Sequence, residues 1–243
     1  MTDPEFLVHA DADAVAEAIP VRLLTRLTEL QQQDPDRTIN LGLTGGRIAT
    51  RAYQRLATDG PGSGVDWSRV ALWWSDERFV AGDSDDRNDR GALAALLPAL
   101  PLDEAQLHPM PADDGALALD DAAEVYGGEF ADTVLDVCLL GVGPDGHIAS
   151  VFPDHPSFDA SLTATTDVIS VRDSPKPPPL RISLTHRAIN RSTEVWFTVS
   201  GADKADAVGW ATSGSKPVPA GRVHGTGRTL WLLDEAAAQQ LNR

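Results

Sequence analysis

Apolar residues recur every three or four positions near the start of the chain, which predicts an amphipathic helix over residues 12–33. The residues that form this stripe are Val15, Ile19, Leu23, Leu27 and Leu30. Asp11 or Asp13 is suited to cap the helix. Pro20 predicts a kink or a break, because proline removes a hydrogen bond in the middle of the pattern.

Short runs of branched apolar residues follow at intervals and predict buried strands. These runs cover residues 38–43, 70–74, 134–140, 168–171, 194–199 and 229–233. Helical patterns lie between them at residues 48–56, around 93–97, at 120–132, at 185–189 and from Lys204 to Trp210. Thr185 is suited to cap the helix at 185–189, and Asp234 is suited to cap a terminal helix. Since strands and helices alternate without a linker or a repeat, residues 1–243 are predicted to form a single doubly wound, Rossmann-like α/β domain with a mostly parallel sheet.

Charge narrows the classes of partner. The chain of 243 residues carries a formal net charge of -16, which argues against nucleic acids and anionic membranes as partners. An anionic substrate would therefore need a local basic island. Cys138 is the single cysteine, and neither a signal peptide nor an apolar run of about 20 residues is evident, so a cytoplasmic location is expected.

A glycine-rich turn follows the predicted strand at 134–140 and carries Asp145 and His147 two residues apart. Ligands bind beyond the carboxyl ends of strands in open α/β sheets, so this carboxylate and imidazole form a candidate acid/base pair. The alternative is an ordinary strand–helix turn with a solvated histidine. His155, a few residues later, is interpreted as a surface residue.

A second candidate site follows the strand at 38–43. Thr44, Gly45 and Gly46 lead into a predicted helix whose free N–H groups and dipole favour an anion, and Arg47 adds a guanidinium suited to a phosphate. A simple tight turn is the alternative interpretation.

Further charged residues stand at the ends of other elements. Asp76 and Arg78 leave the strand at 70–74, just before an acidic loop at 83–89 that is expected to be solvated. Arg181 ends a proline-stiffened segment, and Lys204 lies near a helix start, where a cation is unfavourable unless it serves an anion.

The motifs described above, taken in their order along the chain, resemble those of the 6-phosphogluconolactonases, which are related to the glucosamine-6-phosphate deaminases. The matching residues are Gly45-Gly46, Asp76-Glu77-Arg78, Asn88, residues 141–150, residues 176–181, Gly201 and Lys204. The resemblance implies hydrolysis of 6-phosphogluconolactone in the oxidative pentose phosphate pathway, without a metal or an organic cofactor. We expect a monomer or a homodimer.

The resemblance also implies roles for individual residues. His147 would be the general base, Asp145 would orient it, and Arg78 would stabilise the oxyanion. The turn at Gly45-Gly46, with Arg181 and Lys204, would hold the 6-phosphate. Arg47 departs from the family pattern, which often has Ser or Thr there, so its guanidinium would either replace the lost hydroxyl or point to solvent.

Two other functions remain open. A glucosamine-6-phosphate deaminase would carry a Glu soon after the histidine and a Tyr in place of Arg78, whereas residues 150–154 hold no Glu. A non-catalytic sugar-phosphate sensor would have no need of the acid/base pair. No Gly-x-Ser-x-Gly nucleophile motif is present, so direct attack by water is favoured over an acyl-enzyme.

Overall fold

The structure is a computed structural model that describes residues 3–241. The strands are β1 (Glu5–His9), β2 (Ile39–Leu43), β3 (Val70–Trp74), β4 (Asp76–Arg78), β5 (Leu107–His108), β6 (Val137–Leu140), β7 (Val168–Val171), β8 (Arg181–Leu184), β9 (Glu194–Val199) and β10 (Arg228–Asp234). The helices are α1 (Ala12–Gln33), α2 (Arg47–Asp59), α3 (Asn88–Leu96), α4 (Leu119–Phe130), α5 (Pro156–Thr163), α6 (His186–Asn190) and α7 (Ala205–Ser213).

Seven strands form one sheet in the order β1-β10-β9-β6-β2-β3-β5, and every neighbouring pair is parallel. The chain builds outward from β2 to β3 and β5, then returns to lay β6 on the other side of β2. The order of strands therefore reverses between β2 and β6, and such a reversal opens a crevice at the carboxyl edge of the sheet.

Helices cover both faces of this sheet. Along β3, Val70, Leu72 and Trp74 join the apolar cluster formed with α1, α2 and α3, while Ala71 and Trp73 join the one formed with α4. Strands buried on both faces give the continuous apolar runs seen in the sequence. The prediction of a doubly wound α/β fold with a mostly parallel sheet is confirmed.

Pro20 does not break the first helix. Residues of α1 are helical from Ala12 to Gln33, with Pro20 buried inside and Asp11 accepting the N–H of Ala14 at 2.9 Å as the cap. Burial of the whole apolar stripe outweighs the lost hydrogen bond. The predicted caps Thr185 and Asp234 also accept backbone N–H groups. Asp234 accepts the N–H of Ala237, however, at the start of a short 3₁₀ turn over residues 237–240 and not of a terminal α-helix.

Several elements escaped the sequence patterns. The edge strands β1 and β5, helix α5, and a small antiparallel sheet of order β4-β8-β7 were not predicted as such. Residues 76–78, which follow the predicted strand at 70–74, form a separate strand that pairs with β8. Strands of two to five residues at sheet edges carry too little periodicity to be recognised without their partners.

Candidate active site

A cavity of about 570 Å³ lies at the carboxyl edge of the sheet, over the crevice between β2 and β6. Nine predicted site residues line it: Thr44, Gly45, Gly46, Arg47, Asp76, Arg78, His147, Arg181 and Lys204. The tenth, Asp145, stands behind His147 and bonds to its ring. The fold thus brings together side chains that are up to 160 positions apart in the chain.

The turn after β6 fixes His147 through its backbone. The N–H of Gly146 donates to the carbonyl of Gly143, and the N–H of Gly143 donates to the carbonyl of His147, both at 2.9 Å. Gly146 has a φ of 86°, in the left-handed region that glycine adopts without strain. A Cβ on Gly143 would overlap the His147 ring, so this glycine is required for the ring to lie where it does.

Asp145 sets the tautomer of His147. An oxygen of its carboxylate lies 2.5 Å from Nδ1 of the ring. Partial burial raises the pKa of Asp145, but the hydrogen bond and the charge of His147 lower it to about 2. The carboxylate is therefore ionised at neutral pH and accepts a hydrogen bond from Nδ1–H, which leaves the lone pair of Nε2 to act as a base.

Arg78 reaches the cavity from β4 and is held at one end of its guanidinium. Its Nη1 donates to the side-chain oxygen of Asn88 at 2.7 Å and to the carbonyl of Asp86 at 2.6 Å. The Nε atom of Arg78 is buried and has no hydrogen-bond partner. Such a preorganised cation suits a negative charge that develops on a bound substrate.

The turn after β2 opens the N-terminus of α2 towards the cavity. Gly46 precedes the helix with a φ of 101°, and no side chain caps the helix there. Thr44 is held by Tyr53, whose hydroxyl donates to the Thr44 carbonyl at 2.8 Å. Arg47, the first residue of α2, is exposed at the cavity, and its guanidinium forms no hydrogen bond or ion pair within residues 3–241.

Arg181 is largely occupied by the chain itself. Its Nε donates to the carbonyl of Pro178 at 3.2 Å, and its Nη2 donates to the carbonyls of Lys176 and Pro177. Only Nη1, 3.9 Å from a carboxylate oxygen of Asp76, remains outside these bonds. Arg181 thus clamps the proline segment and holds Lys176 at the rim of the cavity.

Lys204 approaches from a second glycine turn, after β9. Gly201 has a φ of 102°, close to that of Gly46, and its N–H donates to both carboxylate oxygens of Asp234 at 3.0 Å. Lys204 Nζ lies 2.9 Å from the carboxylate of Asp203. The cavity is therefore flanked by two glycine turns, each of which brings a cationic side chain to it.

Sequence reasoning gave no role in the site to several of its residues, among them Asn88, Lys176, Gly201 and Asp234. Asp234 was predicted only as a cap. The residues that carry the resemblance include Asn88, Lys176 and Gly201. For Asp234, the available signal was a charged residue at the end of a predicted strand. Asp76 was treated as a substrate contact, yet one of its oxygens accepts the Ser150 hydroxyl at 2.6 Å and ties β4 to the turn of His147.

The cavity is a basic island in an acidic protein. Six cationic side chains line it, namely Arg47, Arg51, Arg78, Lys176, Arg181 and Lys204, against the two carboxylates of Asp76 and Asp234. Among the described residues, no group of three or more His, Cys, Asp and Glu side chains could hold a metal ion. No helix between residues 3 and 241 is long and apolar enough to span a bilayer.

A parallel α/β sheet with an Asp–His pair and a cationic cavity at its carboxyl edge is typical of enzymes that act on anionic substrates. The chain belongs to the family of glucosamine-6-phosphate isomerases and 6-phosphogluconolactonases, whose sequence model matches residues 10–231.

Individual relatives fall on the lactonase side of this family. A 6-phosphogluconolactonase of Streptomyces coelicolor is 43% identical over 99% of this chain and 95% of its own length. That of Mycobacterium leprae is 46% identical over 82% of this chain and 83% of its own. The crystal structure of 6-phosphogluconolactonase from Thermotoga maritima superposes with a TM-score of 0.84 at 27% identity, covering 96% of this chain and all of the other.

Proposed function

We propose that this protein hydrolyses 6-phospho-D-glucono-1,5-lactone to 6-phosphogluconate, as in the oxidative pentose phosphate pathway. The observation that carries this proposal is the Asp145–His147 pair, at 2.5 Å, facing a cavity rich in cations. A sugar-phosphate lactone needs both features, because its phosphate must be held and its ester must be attacked by activated water. The family and the names of the relatives support the same substrate.

In this mechanism, Nε2 of His147 takes a proton from water as the oxygen attacks the carbonyl carbon of the lactone. Negative charge develops on the carbonyl oxygen, and Arg78 stabilises it. The tetrahedral intermediate then collapses, the ring oxygen leaves, and the imidazolium returns the proton to it. Asp145 keeps Nδ1 protonated throughout, and acid/base help of this kind is worth about 100- to 10,000-fold in rate.

The phosphate is assigned to the region of the glycine turns. The N–H groups at the start of α2, with Thr44, Gly45 and Gly46, offer hydrogen bonds to phosphate oxygens, and Arg47 and Lys204 supply charge. Arg181 contributes through Nη1, whose contact in the structure is the Asp76 carboxylate at 3.9 Å, and by holding Lys176 at the cavity. No metal or organic cofactor enters the proposal, and we expect a cytoplasmic monomer or homodimer.

A timed assay with freshly prepared lactone, corrected for spontaneous ring opening, tests the activity. We expect rapid formation of 6-phosphogluconate and no release of ammonia from glucosamine 6-phosphate. Release of ammonia without lactone hydrolysis would assign the chain to the deaminases. Binding of 6-phosphogluconate without turnover of either substrate would indicate a sensor.

A further inference from the structure

Glu77 is a buried carboxyl next to Arg78 that the proposed mechanism leaves without a task. Its side chain does not line the cavity, and it accepts three backbone N–H groups. One oxygen accepts from Arg78 at 2.8 Å and from Asn88 at 2.7 Å, and the other accepts from Asp89 at 2.8 Å. Glu77 is 1% exposed, so these bonds are shielded from water.

These bonds make Glu77 the cap of α3. The residue before the helix, Arg87, provides no side-chain cap of its own. Its guanidinium instead forms a buried ion pair with Asp89 and donates to the carbonyl of Met110 at 2.6 Å. The start of α3 therefore depends on a carboxylate from a different element, β4, for two of its N–H groups.

Asn88, the first residue of α3, connects this cap to the cavity. Its side-chain oxygen accepts a hydrogen bond from Nη1 of Arg78, and its Nδ2 donates to the carbonyl of Asp76 at 3.1 Å. A Cβ on Gly45 would overlap the Asn88 amide, so the amide also packs against the first glycine turn. A displacement of the start of α3 would consequently move the Asn88 amide. Both the guanidinium of Arg78, which is bonded to that amide, and the packing of the amide against Gly45 would then change.

We propose that Glu77 is a positioning residue: its carboxylate fixes the start of α3, and through Asn88 it holds Arg78 where the oxyanion develops. This inference rests on the proposed function. Burial raises the pKa of Glu77 to about 7, although the N–H groups of Asn88 and Asp89 lower it. A buried carboxyl with a raised pKa beside the cavity is a candidate for a role in the site, and its bonds to Arg78 and Asn88 give that role a geometry.

A double-mutant cycle separates positioning from folding. Glu77→Gln keeps the shape of the side chain but presents an NH₂ group to a backbone N–H. We expect kcat to fall about 10- to 100-fold, with KM changed less than about 3-fold, because a buried donor loses its acceptor and the misplaced group acts in the transition state. In an Arg78→Ala background, the same substitution should lower kcat by less than about 2-fold, since the group it positions is gone.

Asp66→Ala is the matched control. It removes a side-chain cap at the opposite end of β3, where the carboxylate accepts the N–H of Ser68 at 3.2 Å. We expect lower thermal stability and an unchanged kcat. If Glu77→Gln does not fold, Asn88→Ala takes its place in the cycle, because it breaks the connection to Arg78 and leaves the cap intact.

The outcomes are distinct. An equal loss of kcat in both backgrounds, or no loss in the wild-type background, overturns the role of Glu77 while Arg78 keeps its own. A wild-type kcat in Arg78→Ala overturns the assignment of the oxyanion group and the role of Glu77 with it. Absence of lactone hydrolysis by the wild-type protein overturns the proposed function itself.

Discussion

Replacing Asp145 with asparagine tests the proposed base with almost no change of shape. The carboxylate accepts a hydrogen bond from Nδ1 of His147 at 2.5 Å. Partial burial raises the pKa of Asp145, but His147 lowers it to about 2, so the carboxylate is ionised at neutral pH. An amide in this place can donate to Nδ1 instead. The ring proton would then move to Nε2, and the lone pair that takes the proton from water would be lost.

The expected loss follows from that tautomer. General base catalysis contributes about 100- to 10,000-fold, so kcat of Asp145→Asn should fall within that range. KM should change little, because the carboxylate does not line the cavity. Asp154→Asn is the control, since it makes the same substitution at an exposed position of the same loop. A kcat within about 3-fold of the wild-type value would refute the assignment of the tautomer.

Stability gives a second, independent measurement. The pKa of Asp145 lies below its ordinary value of 3.8, so the folded state favours the ionised form. A drop to about 2 corresponds to roughly 2 kcal/mol, which we reduce to about 1 kcal/mol because the side chain is 37% exposed. This contribution is present above about pH 4 and is lost as the pH falls towards 2. Denaturant unfolding should show this loss in the wild-type protein and its absence in Asp145→Asn.

Three other expectations concern the site. Gly143→Ala should reduce kcat strongly, because the added Cβ overlaps the His147 ring. Gly128 lies inside α4, and a Cβ added there meets no atom within 4 Å, so Gly128→Ala should leave kcat unchanged. Equal kinetics for the two variants would contradict the proposed placement of the ring. Arg47→Ala should raise KM about 10-fold or more if the unpaired guanidinium of Arg47 binds the phosphate, because charged hydrogen bonds contribute about 1.5–3 kcal/mol. An unchanged KM would show that this guanidinium faces water. Dialysis against a chelator should leave the rate unchanged; a loss restored by a divalent ion would overturn the metal-free mechanism.

Much of the site was predictable from local sequence. Glycines mark the points where β2 and β6 must turn sharply, and Asp145 and His147 share one such turn, so their proximity follows from their spacing. The alternation of apolar runs and helical stripes predicts the parallel sheet. A parallel sheet, in turn, places the residues that follow its strands at one edge.

The tertiary structure alone decided which charges are free. The sequence assigned Arg181 to the phosphate and left Arg47 open between the phosphate and solvent. In the structure, two nitrogens of Arg181 donate to the proline segment, while Arg47 forms no hydrogen bond or ion pair within residues 3–241. The hydrogen bonds of Glu77 and Asn88, which link β4 to α3, also became known only from the tertiary structure. Periodicity reports which side of an element is buried, because it reflects the regular geometry of that element. The choice of hydrogen-bond partner depends instead on chain segments that meet only after folding, and no local pattern contains that information.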